Sequence, residues 1–91
     1  MTEMSRSQRV TVSCSEGLHA RPADQFVRLA ASFQSVIEIE KDGEMVDGKS
    51  ILSILTLAAD QGSELTIRAT GDDAEQAVDA LVGLIESDFS E

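Results

Sequence analysis

A histidine, an arginine and a proline lie within four residues of each other and could together hold an anion. His19 is the only histidine of this 91-residue chain, Pro22 is its only proline, and Arg21 lies between them. Proline has a fixed φ and no N–H group, so it is tolerated at the first position of a helix. The residues from Ala23 to Ala30 include no helix breaker. A helix is therefore expected directly after His19 and Arg21.

The expected helix, Pro22 to Ser32, places both side chains at its N-terminus, where unpaired N–H groups and the helix dipole favour an anion. An imidazole is mostly uncharged and nucleophilic at neutral pH, and a guanidinium matches the oxygens of a phosphate. These residue types fit a covalently held phosphoryl group. They also fit a solvated loop histidine and a solvated arginine, which are the more common occupants of such a position. The helix is indicated by apolar residues at helical spacing: Phe26, Leu29, Ala30 and Phe33.

The surrounding sequence resembles the active-site signature of the HPr family, the histidine-containing phosphocarriers of the phosphoenolpyruvate-dependent phosphotransferase system. The resemblance rests on the residues from Gly17 to Ala23 (GLHARPA) and on a second signature from Gly48 to Leu55 (GKSILSIL). The segment from Ala59 to Ile67 also resembles the family's turn into its last strand. The similarity covers the chain from about Val10 to Ile85. It implies a phosphocarrier.

The resemblance implies that His19 carries the phosphoryl group on Nδ1 and that Arg21 compensates the phosphate charge. Enzyme I would be the donor, and IIA components of permeases or regulatory systems would be the acceptors. The carrier would act stoichiometrically and without a cofactor, as a monomer. The phosphate oxygens would meet the helix N-terminus at Ala20, Pro22 and Ala23. The residues expected to contact partner proteins are Ile51, Leu52, Leu55, Lys49 and Arg28.

Ser50 is similar to the family's regulatory serine and is also a good N-cap for a second helix. A phosphate there, added by an HPr kinase/phosphorylase, would put about −1.5 to −2 charges into the docking surface. An alternative function is a regulatory binding module that acts through Ser50 and the adjacent apolar patch without a carrier role. Asp24, expected in the first turn of the first helix, would repel a phosphate on His19. The branch of the family, carbohydrate or nitrogen-related, stays open.

The composition narrows the possible partners. The chain has 17 acidic and 7 basic residues and a net charge of −10, which argues against nucleic acid and against an anionic membrane surface. No apolar run approaches the ~20 residues of a membrane span, and the N-terminus lacks the apolar segment of a signal peptide. A single cysteine, Cys14, agrees with a reducing compartment and is expected to be a buried strand thiol. The sequence predicts a cytoplasmic protein with no metal site.

Hydrophobic periodicity predicts the order β-α-β-β-α-β-α in a single domain spanning residues 1–91, with residues 1–6 and 88–91 loosely ordered. Because the strands alternate, we expect a mainly antiparallel four-stranded sheet with one wet face and three helices on the other. This is an α+β open-faced β-sandwich, as the resemblance to HPr also implies. The dipeptide Asp42-Gly43 predicts a type I′ hairpin. The expected strands are Gln8–Cys14, Val36–Lys41, Glu44–Asp47 and Glu64–Thr70; the last helix follows Asp72-Asp73.

The short second helix has too many apolar residues for a helix that buries one stripe. If Ile54, Leu57 and Ala58 face the core, the remaining apolar residues form a partly exposed patch, which more often marks a partner surface than an accident. The alternative is a helix that is buried more deeply than usual. The members of this α2 patch are Ile51, Leu52 and Leu55.

Overall fold

The computed structural model describes residues 4–89 and has the predicted order of elements. Its strands are β1 (Ser5–Thr11), β2 (Val36–Lys41), β3 (Glu44–Asp47) and β4 (Glu64–Thr70). Its helices are α1 (Ala20–Ala31), α2 (Ile51–Thr56) and α3 (Ala74–Glu86). None of the helices within residues 4–89 is both long enough and apolar enough to cross a membrane.

The four strands form one antiparallel sheet in the order β1-β4-β2-β3. Alternate residues of the central strands are buried, as at Ile37, Ile39 and Ile67, while the residues between them are more exposed. The helices cover the buried face and contribute to its core, with Phe26 from α1, Ile54 from α2 and further apolar residues from α3. The open-faced α+β sandwich predicted from strand alternation is confirmed.

The hairpin between β2 and β3 has the predicted backbone. Asp42 has a φ of 52° and Gly43 a φ of 87°, which are the two positive values that a type I′ turn requires. The turn fixes the register of the pair, with Lys41 opposite Glu44 and Ile39 opposite Val46. β3 is only four residues long and lies at one edge of the sheet.

The first strand differs from its expected bounds. β1 begins at Ser5, so Ser5 and Arg6, which were expected to be loose, pair with Thr70 and Ala69 of β4. Strand geometry ends at Thr11, and Cys14 is a half-buried loop residue that packs against the core, not a strand residue. Alternation alone could not locate the end, because the inward pattern continues beyond the last paired residue. The expectation of loose residues at 1–3 and 90–91 lies outside the described residues.

The C-terminal end of the described chain also differs from expectation, because Phe89 was predicted to belong to a frayed tail. Its side chain is only 8% exposed and belongs to the core. The Phe89 N–H donates to the Leu84 carbonyl at 3.0 Å, and its carbonyl accepts a hydrogen bond from Gln25 Nε2 at 3.5 Å. Positive φ values at Asp88 and Phe89 turn the chain back after α3, which brings the phenyl ring onto the core.

Candidate functional site

His19 is the N-cap residue of α1, and its imidazole has no hydrogen-bond or ion-pair partner among residues 4–89. The residue is extended, with φ −82° and ψ −169°, and its side chain makes no capping hydrogen bond. Its carbonyl accepts the Ala23 N–H at 2.8 Å and so begins the helical hydrogen-bond ladder. The side chain is exposed. The nitrogen atoms of the imidazole are therefore accessible at the positive end of a 12-residue helix.

The structure changes which backbone N–H groups are available to an anion. The helix begins at Ala20, two residues before the predicted start, so Pro22 is its third residue. The Ala23 N–H is already bonded to His19, and Pro22 has none. Within residues 4–89, the N–H groups of Ala20 and Arg21 have no hydrogen-bond acceptor. These two donors, instead of the amides after Pro22, are the free ones at this helix end.

Arg21 is exposed, and it differs from the other cations of the chain. All seven lysines and arginines lie within residues 4–89, and Arg21 is the one among them without a carboxylate within 4 Å or a hydrogen-bond acceptor. Its guanidinium can therefore turn to an incoming anion without breaking an existing pair. The other six have partners: Arg6–Glu75, Arg9–Glu64, Arg28–Asp24, Lys41–Asp42, Arg68–Glu38, and Lys49 with the Phe33 carbonyl.

The loop before His19 is held against the segment that follows α2. The Leu18 N–H donates to the Ala59 carbonyl at 2.8 Å, and Leu18 is buried. Gly17 has a φ of +70° and lies so close to this segment that a Cβ would be 2.5 Å from the Ala59 oxygen. Only glycine meets both the backbone and the steric requirement at this position. The backbone of Gly17 and Leu18 is thus held in place, and this fixes the backbone position from which the His19 side chain extends.

A shallow depression of about 260 Å³ lies beside His19, between the loop before α1 and the end of α2 with the segment that follows it. Of its six residues, sequence reasoning named His19 and Leu55 as site residues and included Leu18 in the first signature, but it assigned no role in the site to the three from Ala58 to Asp60. Ala58 was expected to face the core, yet it is exposed, with a φ of 52° that places it outside α2. No sequence signal marks this turn, because it lacks glycine. The residues that line the depression are Leu18, His19, Leu55, Ala58, Ala59 and Asp60.

The α2 patch is partly exposed, as the sequence predicts. Ile54 and Leu57 are buried, whereas Leu52 is 73% exposed, Leu55 is 38% exposed and Ile51 is half-buried. The side chain of Leu55 reaches the depression beside His19, so the patch and the imidazole share one surface.

Ser50 caps α2 as expected. Its side-chain oxygen accepts the Ser53 N–H at 3.3 Å, and its carbonyl accepts the Ile54 N–H at 3.1 Å. Lys49 precedes it and is not a free cation, since its Nζ donates to the Phe33 carbonyl at 2.8 Å. That bond ties the start of α2 to the chain leaving α1.

Asp24 and Arg28 form an i,i+4 ion pair on α1 with an Nε–Oδ2 distance of 2.8 Å. Because the helix begins at Ala20, Asp24 lies in its second turn, not in the first as expected. The pair is exposed and offsets part of the negative charge near the helix start. Within residues 4–89, no three histidine, cysteine or acidic side chains cluster in a way that could hold a metal ion.

Comparison with known proteins gives one family. The family model described as the PTS HPr component phosphorylation site matches residues 6–87. The chain is 47% identical over 79 residues to the phosphocarrier protein HPr of Haemophilus influenzae, covering 87% of this chain and 93% of that protein. It is 43% identical over 81 residues to the HPr-like protein Crh of Halalkalibacterium halodurans, covering 89% and 96%.

A solved structure agrees in fold. The crystal structure of HPr-C-His from Thermoanaerobacter tengcongensis superposes with a TM-score of 0.91 at 45% sequence identity. The superposition covers 94% of this chain and 97% of that one. The similarity therefore includes the described elements from β1 to α3 and is not limited to the two short signatures.

Proposed function

The chain belongs to the HPr family, and we propose that it is a phosphocarrier whose His19 accepts a phosphoryl group from phospho-Enzyme I and passes it to IIA components. One observation supports this most directly. At the N-terminus of α1, the imidazole of His19 makes no capping hydrogen bond, and the guanidinium of Arg21, two residues later, has no partner among residues 4–89. A histidine with only a structural role would be expected to use its ring nitrogen in a cap or another local bond. This imidazole is left available for chemistry.

The transfer needs no reagent beyond the two proteins. The lone pair of His19 Nδ1 forms a new P–N bond while the P–N bond of the donor phosphohistidine breaks, and the donor imidazole leaves with that electron pair. The same exchange in the opposite sense passes the group to the acceptor. Arg21 and the free N–H groups of Ala20 and Arg21 stabilise the charge on the phosphoryl oxygens at each stage. Within this chain, His19 is the only residue that changes covalently during the transfer.

The α2 patch is proposed as the docking surface for both the donor and the acceptor. Leu55 lines the depression beside His19, so a partner seated on the patch also reaches the imidazole. Only Leu52 of the three patch residues is largely exposed, which suits a carrier that must leave each partner as readily as it binds it. Lys49, which precedes the capping Ser50, and Arg28 of α1 are both already paired, and they would contribute to partner choice more than to affinity.

Ser50 is proposed as the regulatory site, modified by an HPr kinase/phosphorylase. A phosphate on its oxygen would remain at the start of α2, where the helix dipole tolerates negative charge, so the fold need not change. About −1.5 to −2 charges would then lie next to Ile51 and would oppose an acidic partner face. A cytoplasmic location and a monomeric carrier complete the proposal, and the lone Cys14 suits that compartment.

The decisive experiment is phosphorylation from phosphoenolpyruvate by Enzyme I, read by intact mass before and after acid treatment. The unaltered chain is expected to gain one phosphate that acid removes, because phosphohistidine is acid-labile. His19→Ala should gain none, while Ser50→Ala, as the matched control, should gain one as the unaltered chain does. Phosphate acceptance by His19→Ala would contradict the mechanism.

A second candidate is a regulatory binding module that acts through Ser50 and the α2 patch without carrying phosphate. The 73% exposure of Leu52 favours a docking surface, and that surface would be useful in either role. No mass gain with an Enzyme I preparation that phosphorylates another carrier would favour this candidate.

A further inference from the structure

Ala58 has a backbone conformation that disfavours its side chain. It follows the C-cap of α2 with a φ of 52°, and its N–H donates to the Leu55 carbonyl at 3.2 Å. A left-handed residue commonly ends a helix, but glycine is preferred there because it has no Cβ to clash. An alanine in this region is disfavoured, because its Cβ comes too close to the following carbonyl oxygen. The methyl group is exposed, so burial in the core does not offset the cost.

The turn that contains Ala58 is fixed relative to His19. The next residue, Ala59, is buried, and its carbonyl accepts the Leu18 N–H at 2.8 Å. Gly17 packs against the same carbonyl without space for a side chain. On the other side, Lys41 Nζ donates to the Leu57 carbonyl at 3.3 Å. With bonds on both sides, the Ala58 methyl has a set position in the depression that it shares with His19 and Leu55.

We propose that the methyl group of Ala58 is a specificity-determining contact of the phosphoryl-transfer surface. It extends the apolar surface of Leu55 to the edge of the imidazole, and it would pack against apolar atoms of the donor protein next to the donor's phosphohistidine. Strained residues that persist in a site without a stabilising contact of their own are candidates for a functional role. This inference rests on the proposed carrier function and adds the residue that selects the partner.

The test compares the kinetics of phosphoryl acceptance from isolated phospho-Enzyme I by the full chain and by Ala58→Gly. Glycine removes the methyl and relieves the strain. The KM for the carrier should rise about three- to fourfold, the effect of one methyl group lost from a contact, while kcat stays the same. The melting temperature should rise by about 2–6 °C, because strain relief outweighs the added freedom of glycine in the unfolded chain.

Two further variants separate the contact from the backbone effect. Ala58→Asn accepts the left-handed conformation but places a polar group in the contact, so its KM should rise at least as much as that of Ala58→Gly. Asp88→Gly is the matched control, because Asp88 also has a positive φ, of 62°, and is exposed in the turn after α3, which does not line the depression. Its melting temperature should change while its KM does not.

Several results would overturn the inference. An Ala58→Gly variant with the KM and kcat of the unaltered chain and a raised melting temperature would show a strained residue without a partner contact. A raised KM without a raised melting temperature would mean that the turn had loosened, and an equal rise of KM in Asp88→Gly would mean that the effect is not specific to the contact. If the unaltered chain accepts no phosphoryl group, the carrier function itself fails, and this inference fails with it.

Discussion

At the scale of single residues, the structure gives two exposed arginines of α1 different surroundings. Arg21 and Arg28 both lie on α1 and both are exposed, but Arg28 is bonded to Asp24 and Arg21 has no acceptor among residues 4–89. An ion pair must be broken before its guanidinium can bind a new anion, whereas a free guanidinium binds at once. Arg21 is thus the cation prepared for a charged ligand beside His19.

We expect Arg21→Gln to lower kcat/KM for phosphoryl acceptance by about 10- to 100-fold, the range for losing one charge-assisted hydrogen bond. The kcat/KM of Arg21→Lys should lie between those of Arg21→Gln and the unaltered chain, because lysine keeps the charge but loses the planar guanidinium. The measurement is the initial rate with phospho-Enzyme I as donor. Arg9→Gln is the control, because Arg9 is an exposed arginine of β1 on the sheet. Equal losses in the two glutamine variants would point to net charge and not to a specific role of Arg21.

The sequence identifies the chemical residues of the candidate site but not the backbone that supports them. His19, Arg21 and Ser50 have recognisable types and spacing, and the structure places each at the start of a helix. Ala59 acts through its carbonyl and Ala58 through an unusual φ, neither of which depends on a distinctive side chain. Contacts made by backbone atoms between distant segments leave no pattern in a single sequence.

At the scale of elements, one carboxylate ties the start of α3 to the start of β2. Asp73 is the N-cap residue of α3, and it accepts hydrogen bonds from the Ser35 hydroxyl and from the N–H groups of Gln34 and Ser35. Gly71 lies against the same serine, where a Cβ would be 2.7 Å from the hydroxyl oxygen. The connection after α1 is therefore held by α3, and this fixes the direction in which β2 enters the sheet.

These bonds make the stability of the fold depend on pH. The hydrogen bond from the Ser35 hydroxyl, followed by that from Gln34, holds the pKa of Asp73 below its ordinary value of 3.8. The unfolded chain binds a proton at Asp73 more readily than the folded chain does. The contribution of these hydrogen bonds to the free energy of unfolding is therefore present above pH 3.8 and is lost as the pH falls through the lower pKa of the folded state.

We expect the free energy of unfolding to fall more steeply for the unaltered chain than for Asp73→Asn as the pH decreases from about 5 to about 3. Asparagine keeps the shape and one acceptor but cannot titrate. The measurement is urea denaturation at a series of pH values, followed by circular dichroism. Parallel curves for the two proteins would show that Asp73 does not contribute to the acid sensitivity.

At the scale of the whole molecule, the sequence predicts most of the fold but neither the start of β1 nor the ordered position of Phe89. Strand alternation and helical spacing predict all seven elements and the antiparallel sheet, because burial of one face imposes those periods. The start of β1 was misplaced, because its first residues are exposed and polar and are held by pairing with β4. Phe89 was misplaced for a similar reason: only the tertiary contact with α1 and the core orders it.

The net charge is a property of the whole chain and not of any one helix or strand. The chain has ten more acidic than basic residues, counted from its 17 acids and 7 bases, and every ion pair between described residues has at least one well-exposed partner. Exposed pairs contribute little, about 0–1 kcal/mol each, whereas the unpaired acids repel one another across the whole surface. Compact folding brings these acids together. The native state is therefore expected to carry a net repulsion that salt relieves.

Raising NaCl from 10 to 500 mM should increase the melting temperature by about 4–8 °C, because a shorter Debye length weakens the repulsion among the acidic side chains. For a domain of this size, such a shift corresponds to about 1 kcal/mol in the free energy of unfolding. Glu86→Gln should raise the melting temperature at low salt and flatten this dependence. Glu86 is exposed at the C-terminus of α3, its carboxylate has no ion-pair partner within the described part of the chain, and the last turn of the helix has no basic residue. Calorimetry at constant pH provides the measurement. A melting temperature that falls with salt would show instead that the ion pairs outweigh the repulsion.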